Sequence, residues 1–93
     1  MLMRGQHDAR IAEIIDRIRD IPPGHVQTYG DIDPDAPRLV GRVLATTHES
    51  GIPWFRVVRS DGSVAKGERQ LELLRRDGVP LRGDRVDLDR ARS

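Results

Sequence analysis

The chain contains no cysteine. That excludes disulfides, thiolate metal sites and a cysteine nucleophile, and it fits a cytoplasmic protein. Aromatic side chains are scarce: one Trp, one Tyr and one Phe. Lysine is nearly missing too, Lys66 being the only one among 16 basic residues. No apolar run approaches the roughly 18 residues of a membrane helix, and no signal-peptide pattern opens the chain, so no membrane partner is expected. Glycine-rich phosphate loops, internal repeats, low-complexity tracts and metal-ligand spacings are also missing, so no cofactor is expected.

What is present suits one small domain. Of 93 residues, 37% are hydrophobic and 33% charged, enough for a modest core. The net charge of +1 hides a pattern. Between Arg38 and Arg69 stand six bases (Arg38, Arg42, Arg56, Arg59, Lys66, Arg69) and three acids (Glu49, Asp61, Glu68). Such a segment is either a face for a localised anionic partner or an ordinary arginine-bearing surface.

Met1–Gln6 reads as a mobile end. From Asp8 to Asp20, Ile11, Ile14, Ile15 and Ile18 make one apolar stripe of a helix that Pro22-Pro23 stops. His25–Tyr29 alternates and predicts a short extended segment. Asp31–Pro37 is too rich in proline and aspartate for a two-turn helix and reads as a loop with at most one helical turn. A helix over Pro37–Thr47 follows, with Pro37 in its first turn. Leu39, Val40, Val43 and Leu44 form its packed face, while Arg38 and Arg42 lie on another. That arrangement suits a reader of a nucleic-acid groove, and it equally suits a solvated helix. Gly41 permits something to approach the helix backbone.

The stretch Gly51–Arg59 holds the single Trp54 and Phe55. Pro53 predicts a rigid turn, and Phe55, Val57 and Val58 favour a strand. A lone Trp serves either as packing or as a recognition surface. Ser60-Asp61-Gly62-Ser63 predicts a hairpin turn, with Val64-Ala65 as the return strand of a wing. A last helix over Glu68–Asp77 turns Leu71 and Leu74 inward, and Gly78 caps it. Val79–Leu88 reads as a loop or edge strand, and residues 89–93 as a mobile end.

Four motifs in this order carry a resemblance. They are Ile21-Pro22-Pro23-Gly24-His25-Val26-Gln27-Thr28-Tyr29-Gly30, Arg38-Leu39-Val40-Gly41, Ile52-Pro53-Trp54-Phe55-Arg56-Val57-Val58, and Leu73-Leu74 before Asp77-Gly78-Val79. Together they resemble the C-terminal DNA-binding domain of O6-alkylguanine-DNA alkyltransferases. In those enzymes the central motif reads Pro-Cys-His-Arg and the cysteine accepts the alkyl group. Trp54 at that position is similar to the alkyltransferase-like proteins, which bind alkylated guanine without repairing it. Phe55 replaces the proton-relaying histidine, and Asp77 stands where the enzymes have a glutamate, its partners gone.

The resemblance implies an α+β, mainly helical, winged helix-turn-helix domain whose first helix of the helix-turn-helix is shortened to Asp31–Pro37. It implies a non-enzymatic monomer that flips O6-alkylguanine out of double-stranded DNA and signals to nucleotide excision repair proteins. Arg38 would enter the base stack and Tyr29 would crowd the target phosphate. Trp54 would wall the pocket, and Arg56 would brace it or touch the base. Arg42 would contact the backbone or groove, and the basic hairpin from Arg59 to Lys66 would close the other side. The three aspartates of the shortened segment would repel a phosphate strand. A family member that has lost DNA and serves as a protein-interaction module is the alternative; an enzyme with another nucleophile is a further one.

Overall fold

The computed structural model describes the backbone of residues 2–93 and the side chains from Ala9 onward. The first helix, α1 (Leu2–Arg19), is followed by a two-residue strand, β1 (Gln27–Thr28), and a one-turn helix, α2 (Tyr29–Ile32). Then come α3 (Pro37–Thr46), a 3-10 turn (Trp54–Arg56) and β2 (Val57–Val58). Helix α4 (Gly67–Arg76), the strands β3 (Leu81–Arg82) and β4 (Arg85–Val86), and a short α5 (Leu88–Ala91) complete the chain. The architecture is mixed α+β and mainly helical, as the sequence predicts.

The pair β1–β2 is parallel, with Gln27 beside Val57 and Thr28 beside Val58. It divides the core in two. Successive strand residues point to opposite faces. Val57 therefore joins Ile14, Ile15 and Ile18 of α1, Ile21 just beyond it, Ile32 of α2, and Val40 and Val43 of α3. Val58 joins Val26, Leu74, Val79, Val86 and Ala91 on the other side. Each fully buried Ile or Val contributes about 1.5–3 kcal/mol relative to exposure. These two residues thus fix where the central stretch sits against both halves.

Three local expectations are corrected. First, α2 begins at Tyr29, two residues before the predicted loop. Its cause is a capping box: Asp31 N donates to Thr28 Oγ1 at 3.1 Å, and Thr28 N donates to Asp31 Oδ2 at 3.0 Å. Asp33 then shapes the rest, its Oδ1 accepting from Asp35 N and Ala36 N. Second, no return strand forms at Val64-Ala65. Gly62 (φ +83°) closes a tight loop through Gly62 N to Arg59 O at 2.8 Å, and its own carbonyl accepts from Val86 N at 2.8 Å. The loop is thereby bound to the β3–β4 hairpin, which is the antiparallel ribbon of the fold. A Cβ on Gly62 would run into the Val86 carbonyl oxygen.

Third, the C-terminal end over residues 89–93 is ordered against the core. Ala91 is fully buried, Val26 N donates to Ala91 O and Ser93 N donates to Val26 O, both at 2.9 Å. The polar run Asp89-Arg90 conceals this, because one small apolar residue and two backbone bonds carry the docking. The expectation of a mobile end over residues 1–6 falls on Met1, outside the described residues, and on backbone that continues α1.

Candidate functional site

Trp54 owes its position to Pro53. Pro53 adopts φ −77° and ψ 63°, and Trp54 N donates to Ile52 O at 2.8 Å, an inverse γ-turn. Arg56 N then donates to Pro53 O, so both aromatics lie in a 3-10 turn and not in the strand that begins at Val57. The Trp54 and Phe55 rings meet edge to face, 6.1 Å apart at 90°. Trp54 is half-buried and opens onto solvent. One hollow of about 420 Å³ beside it is lined by Leu44, Trp54, Lys66 and Arg69. Another of about 300 Å³, on the side of Thr47, Glu49, Gly51 and Ile52, shares Leu44 and Trp54.

Tyr29 lies at the start of α2, immediately after its cap Thr28. With Arg38, Gly41, Arg59 and Ala65 it lines a third hollow of about 400 Å³. Burial raises the Tyr29 phenol above its ordinary range, opposed by the charge of Arg59. The approach that Gly41 permits is made by Tyr29: a Cβ there would lie 3.9 Å from Tyr29 Cε1. The Tyr29 hollow and the larger Trp54 hollow lie between α3 and the segment Arg59–Arg69, with the chain at Ala65-Lys66 between them.

The predicted site residues separate into two groups. Arg38, Arg42 and Lys66 are exposed, and Arg38 and Lys66 line the hollows. Arg42 lines neither of them and projects from α3 one turn further on. Arg69 is exposed as well and belongs with this group; it falls just inside the basic segment, and its register on α4 was the signal available. Arg59, whose charge faces Tyr29, is the other residue missed as an individual contact.

Arg56 is different. Its Nε and Nη2 donate to Asp77 Oδ2 and Oδ1, both at 2.8 Å, and its Nη1 donates to the Ile21 carbonyl at 3.1 Å. It braces the turn from within. Asp77 is accordingly not without partners: Gly24 N also donates to it at 3.0 Å. The Arg56 guanidinium holds the Asp77 carboxyl below the usual aspartate value, against the opposing effect of burial.

Two of the three aspartates in the acidic segment are paired with arginines, while Asp35 stays exposed. Arg10 grips Asp33 through two 2.8 Å bonds, and Arg92 grips Asp31 at 2.9 and 3.0 Å. By contrast, Arg38, Arg42, Lys66 and Arg69 form no side-chain hydrogen bond or ion pair among the described residues. The arrangement is an apolar ring and a phenol set among free cations, suited to a planar, anionic-backboned ligand.

The family model of the 6-O-methylguanine DNA methyltransferase DNA-binding domain matches residues 10–79. A DNA base-flipping protein of Vibrio parahaemolyticus is 38% identical over 84 residues, which cover 80% of this chain and 84% of that protein. Alkyltransferase-like protein 1 of Schizosaccharomyces pombe is 35% identical over 86 residues, covering 80% of each. Among solved structures, S. pombe Atl1 in complex with damaged DNA containing O6-carboxymethylguanine superposes with a TM-score of 0.80 at 28% identity, covering 92% of this chain and 95% of that one.

Proposed function

Because the chain belongs to the 6-O-methylguanine DNA methyltransferase DNA-binding family, on its alkyltransferase-like side, we propose that it holds O6-alkylguanine rotated out of duplex DNA and leaves the alkyl group in place. The observation that carries this reading is the open, half-buried Trp54 in a chain with no thiol. Transfer from an O6-alkyl oxygen needs a soft nucleophile, and indole is not one. The ring instead offers apolar surface to the alkyl group and a π-face to the base, worth roughly 1–3 kcal/mol. That is comparable with the few kcal/mol needed to unstack a nucleotide, a cost lowest at a poorly paired base.

In this reading Arg38 fills the vacated stack, Tyr29 presses the rotated nucleotide, and Arg42, Lys66 and Arg69 meet phosphates or the lesion edge. The bound monomer then serves as a flag for nucleotide excision repair. The rival reading, a protein-interaction module without DNA, rests on the shortened Asp31–Pro37 segment. The repulsion of a phosphate strand by its acids is reduced, since Asp31 and Asp33 are each gripped by an arginine and only Asp35 is left exposed without such a partner among the described residues.

The test compares a duplex carrying O6-methylguanine with the same duplex unmodified, at several salt concentrations. Tighter, salt-sensitive binding to the lesion with quenching of Trp54 emission is expected. Equal affinity for both duplexes defeats lesion recognition; no DNA binding by a folded chain favours the interaction module. A mass shift of the protein after incubation with alkylated DNA revives the enzyme.

A further inference from the structure

We infer that Gln70 is a positioning residue that sets the shape of the Trp54 hollow and hence the discrimination between alkylated and normal guanine. The inference rests on the lesion-binding reading above. Gln70 is 1% exposed, on the inward face of α4 beside Leu71 and Leu74. Its Nε2 donates to Phe55 O at 3.1 Å and to Val57 O at 3.0 Å, and its Oε1 accepts from Lys66 N at 3.1 Å.

The partners settle how the carboxamide is turned, since two carbonyls require the NH2 and an N–H requires the oxygen. No other side chain of this size offers two donors and an acceptor in one plane. Leucine or methionine would fill the volume and leave those groups without their partner, and glutamate would set a carboxylate against two carbonyls.

The placement of the three bonds matters more than their number. Phe55 O belongs to the turn that presents Trp54, one wall of the hollow, and Val57 O to the first residue of β2 directly after it. Lys66 N belongs to the residue that leads into α4 and lines the opposite wall, next to Arg69. One rigid carboxamide therefore ties the two walls at a fixed separation. The Arg56–Asp77 pair secures the same turn to the far end of α4 and does not reach the Lys66 side.

The experiment uses the full chain with Gln70→Met, near in volume and lacking all three bonds. Affinity is measured for an O6-methylguanine duplex and for the unmodified duplex, and the ratio is compared with wild type. The ratio is expected to fall roughly three- to tenfold, the scale of one net hydrogen bond, with affinity for the unmodified duplex held within about twofold. Leu81→Ala, which weakens the core but lines none of the hollows, is expected to keep the wild-type ratio.

A folded Gln70→Met with an unchanged ratio overturns the inference, as does an equal fall in Leu81→Ala. If Gln70→Met fails to fold, the wild-type side-chain amide signals of Gln70 are followed by NMR. They are expected to shift with the lesion duplex and not with the unmodified one; the same spectrum in both overturns the inference. A wild type that does not discriminate at all sinks the lesion reading itself, whereas a discriminating wild type with an indifferent Gln70→Met sinks only this step.

Discussion

Arg56 and Asp77 face each other as a bidentate pair, 2.8 Å at both bonds, with side chains 14% and 11% exposed. The pair joins the Trp54 turn to the C-terminal end of α4, and Arg56 reaches on to the Ile21 carbonyl. Removing one member leaves the other charged and largely desolvated. Arg56→Met is expected to cost about 2–4 kcal/mol of stability, read by urea unfolding. The double variant Arg56→Met/Asp77→Leu is expected to recover part of that loss, since it removes the orphaned charge. If Arg56→Met unfolds like wild type but abolishes lesion binding, Arg56 acts on the base and the bracing role is wrong.

Arg38 gives the opposite signature. It is exposed, unpaired among the described residues, and lines the Tyr29 hollow. Arg38→Ala is expected to leave stability within about 0.5 kcal/mol. Its affinity for the lesion duplex is expected to fall on the order of tenfold, as for a side chain that meets nucleic acid directly. Arg42→Ala is expected to weaken lesion and normal duplexes alike and to reduce the salt slope by about one unit. Fluorescence anisotropy across a salt series separates the two. A destabilised Arg38→Ala would place that side chain in the scaffold.

The contrast between these arginines shows what periodicity reveals. The stripes of α1, α3 and α4 were readable because burial follows the helical repeat, and Ile14, Ile18, Val40, Val43 and Leu74 all lie where it puts them. Arg38 and Arg42 were readable as one exposed face for the same reason. What escaped depended on long-range partners. Thr28 and Asp31 formed a capping signal within reach of the sequence, but the prolines beyond drew attention to a loop. The pairing of Gly62 with Val86, and of Asp31 with Arg92, spans segments that no local pattern connects. Gln70 looked like any polar helix residue, because only the fold brings two carbonyls and an N–H around it.

Four aspartates make the stability of the fold acid-sensitive. Asp77 is held low by Arg56, Asp33 by Arg10, and Asp61 by the Ser63 hydroxyl. Asp31 is raised by burial but lowered further by Arg92 and Thr28 together, and ends below its ordinary value. A carboxyl with a depressed native pKa binds fewer protons folded than unfolded, so acid favours the unfolded chain. The contribution is fully present above the ordinary aspartate value of about 3.9 and is lost as pH falls through the lower native values. The melting temperature is expected to change little from these groups between pH 7 and about 5 and to drop steeply below about pH 4. In Arg56→Met the part of the Asp77 share that Arg56 supplies is lost and only the Gly24 N–H bond and His25 still favour the carboxylate, so its acid limb is expected to be shallower. An unchanged limb would show that the pair does not depress Asp77.

The C-terminal end is the part whose importance the sequence concealed most. Residues 88–93 cover Val26 and Val58, bury Ala91 completely and pack Leu88 against the same cluster. They also supply both backbone bonds to Val26 and the arginine that grips Asp31, whose carboxylate caps α2 directly beneath Tyr29. Deleting these six residues is expected to remove about 2–3 kcal/mol through lost apolar burial alone. In a domain this small that corresponds to a fall of roughly 10–20 °C in melting temperature, measured by calorimetry. Lesion affinity, assayed well below the new transition, is expected to fall as well, because Tyr29 loses the support behind its turn. Arg92→Ala alone tests that coupling: it keeps Ala91 and Leu88 in place and is expected to lower lesion affinity with a much smaller thermal shift. If deletion leaves the melting temperature within a few degrees of wild type, the end is dispensable, and α2 must hold its turn through Thr28 without help from the C-terminus.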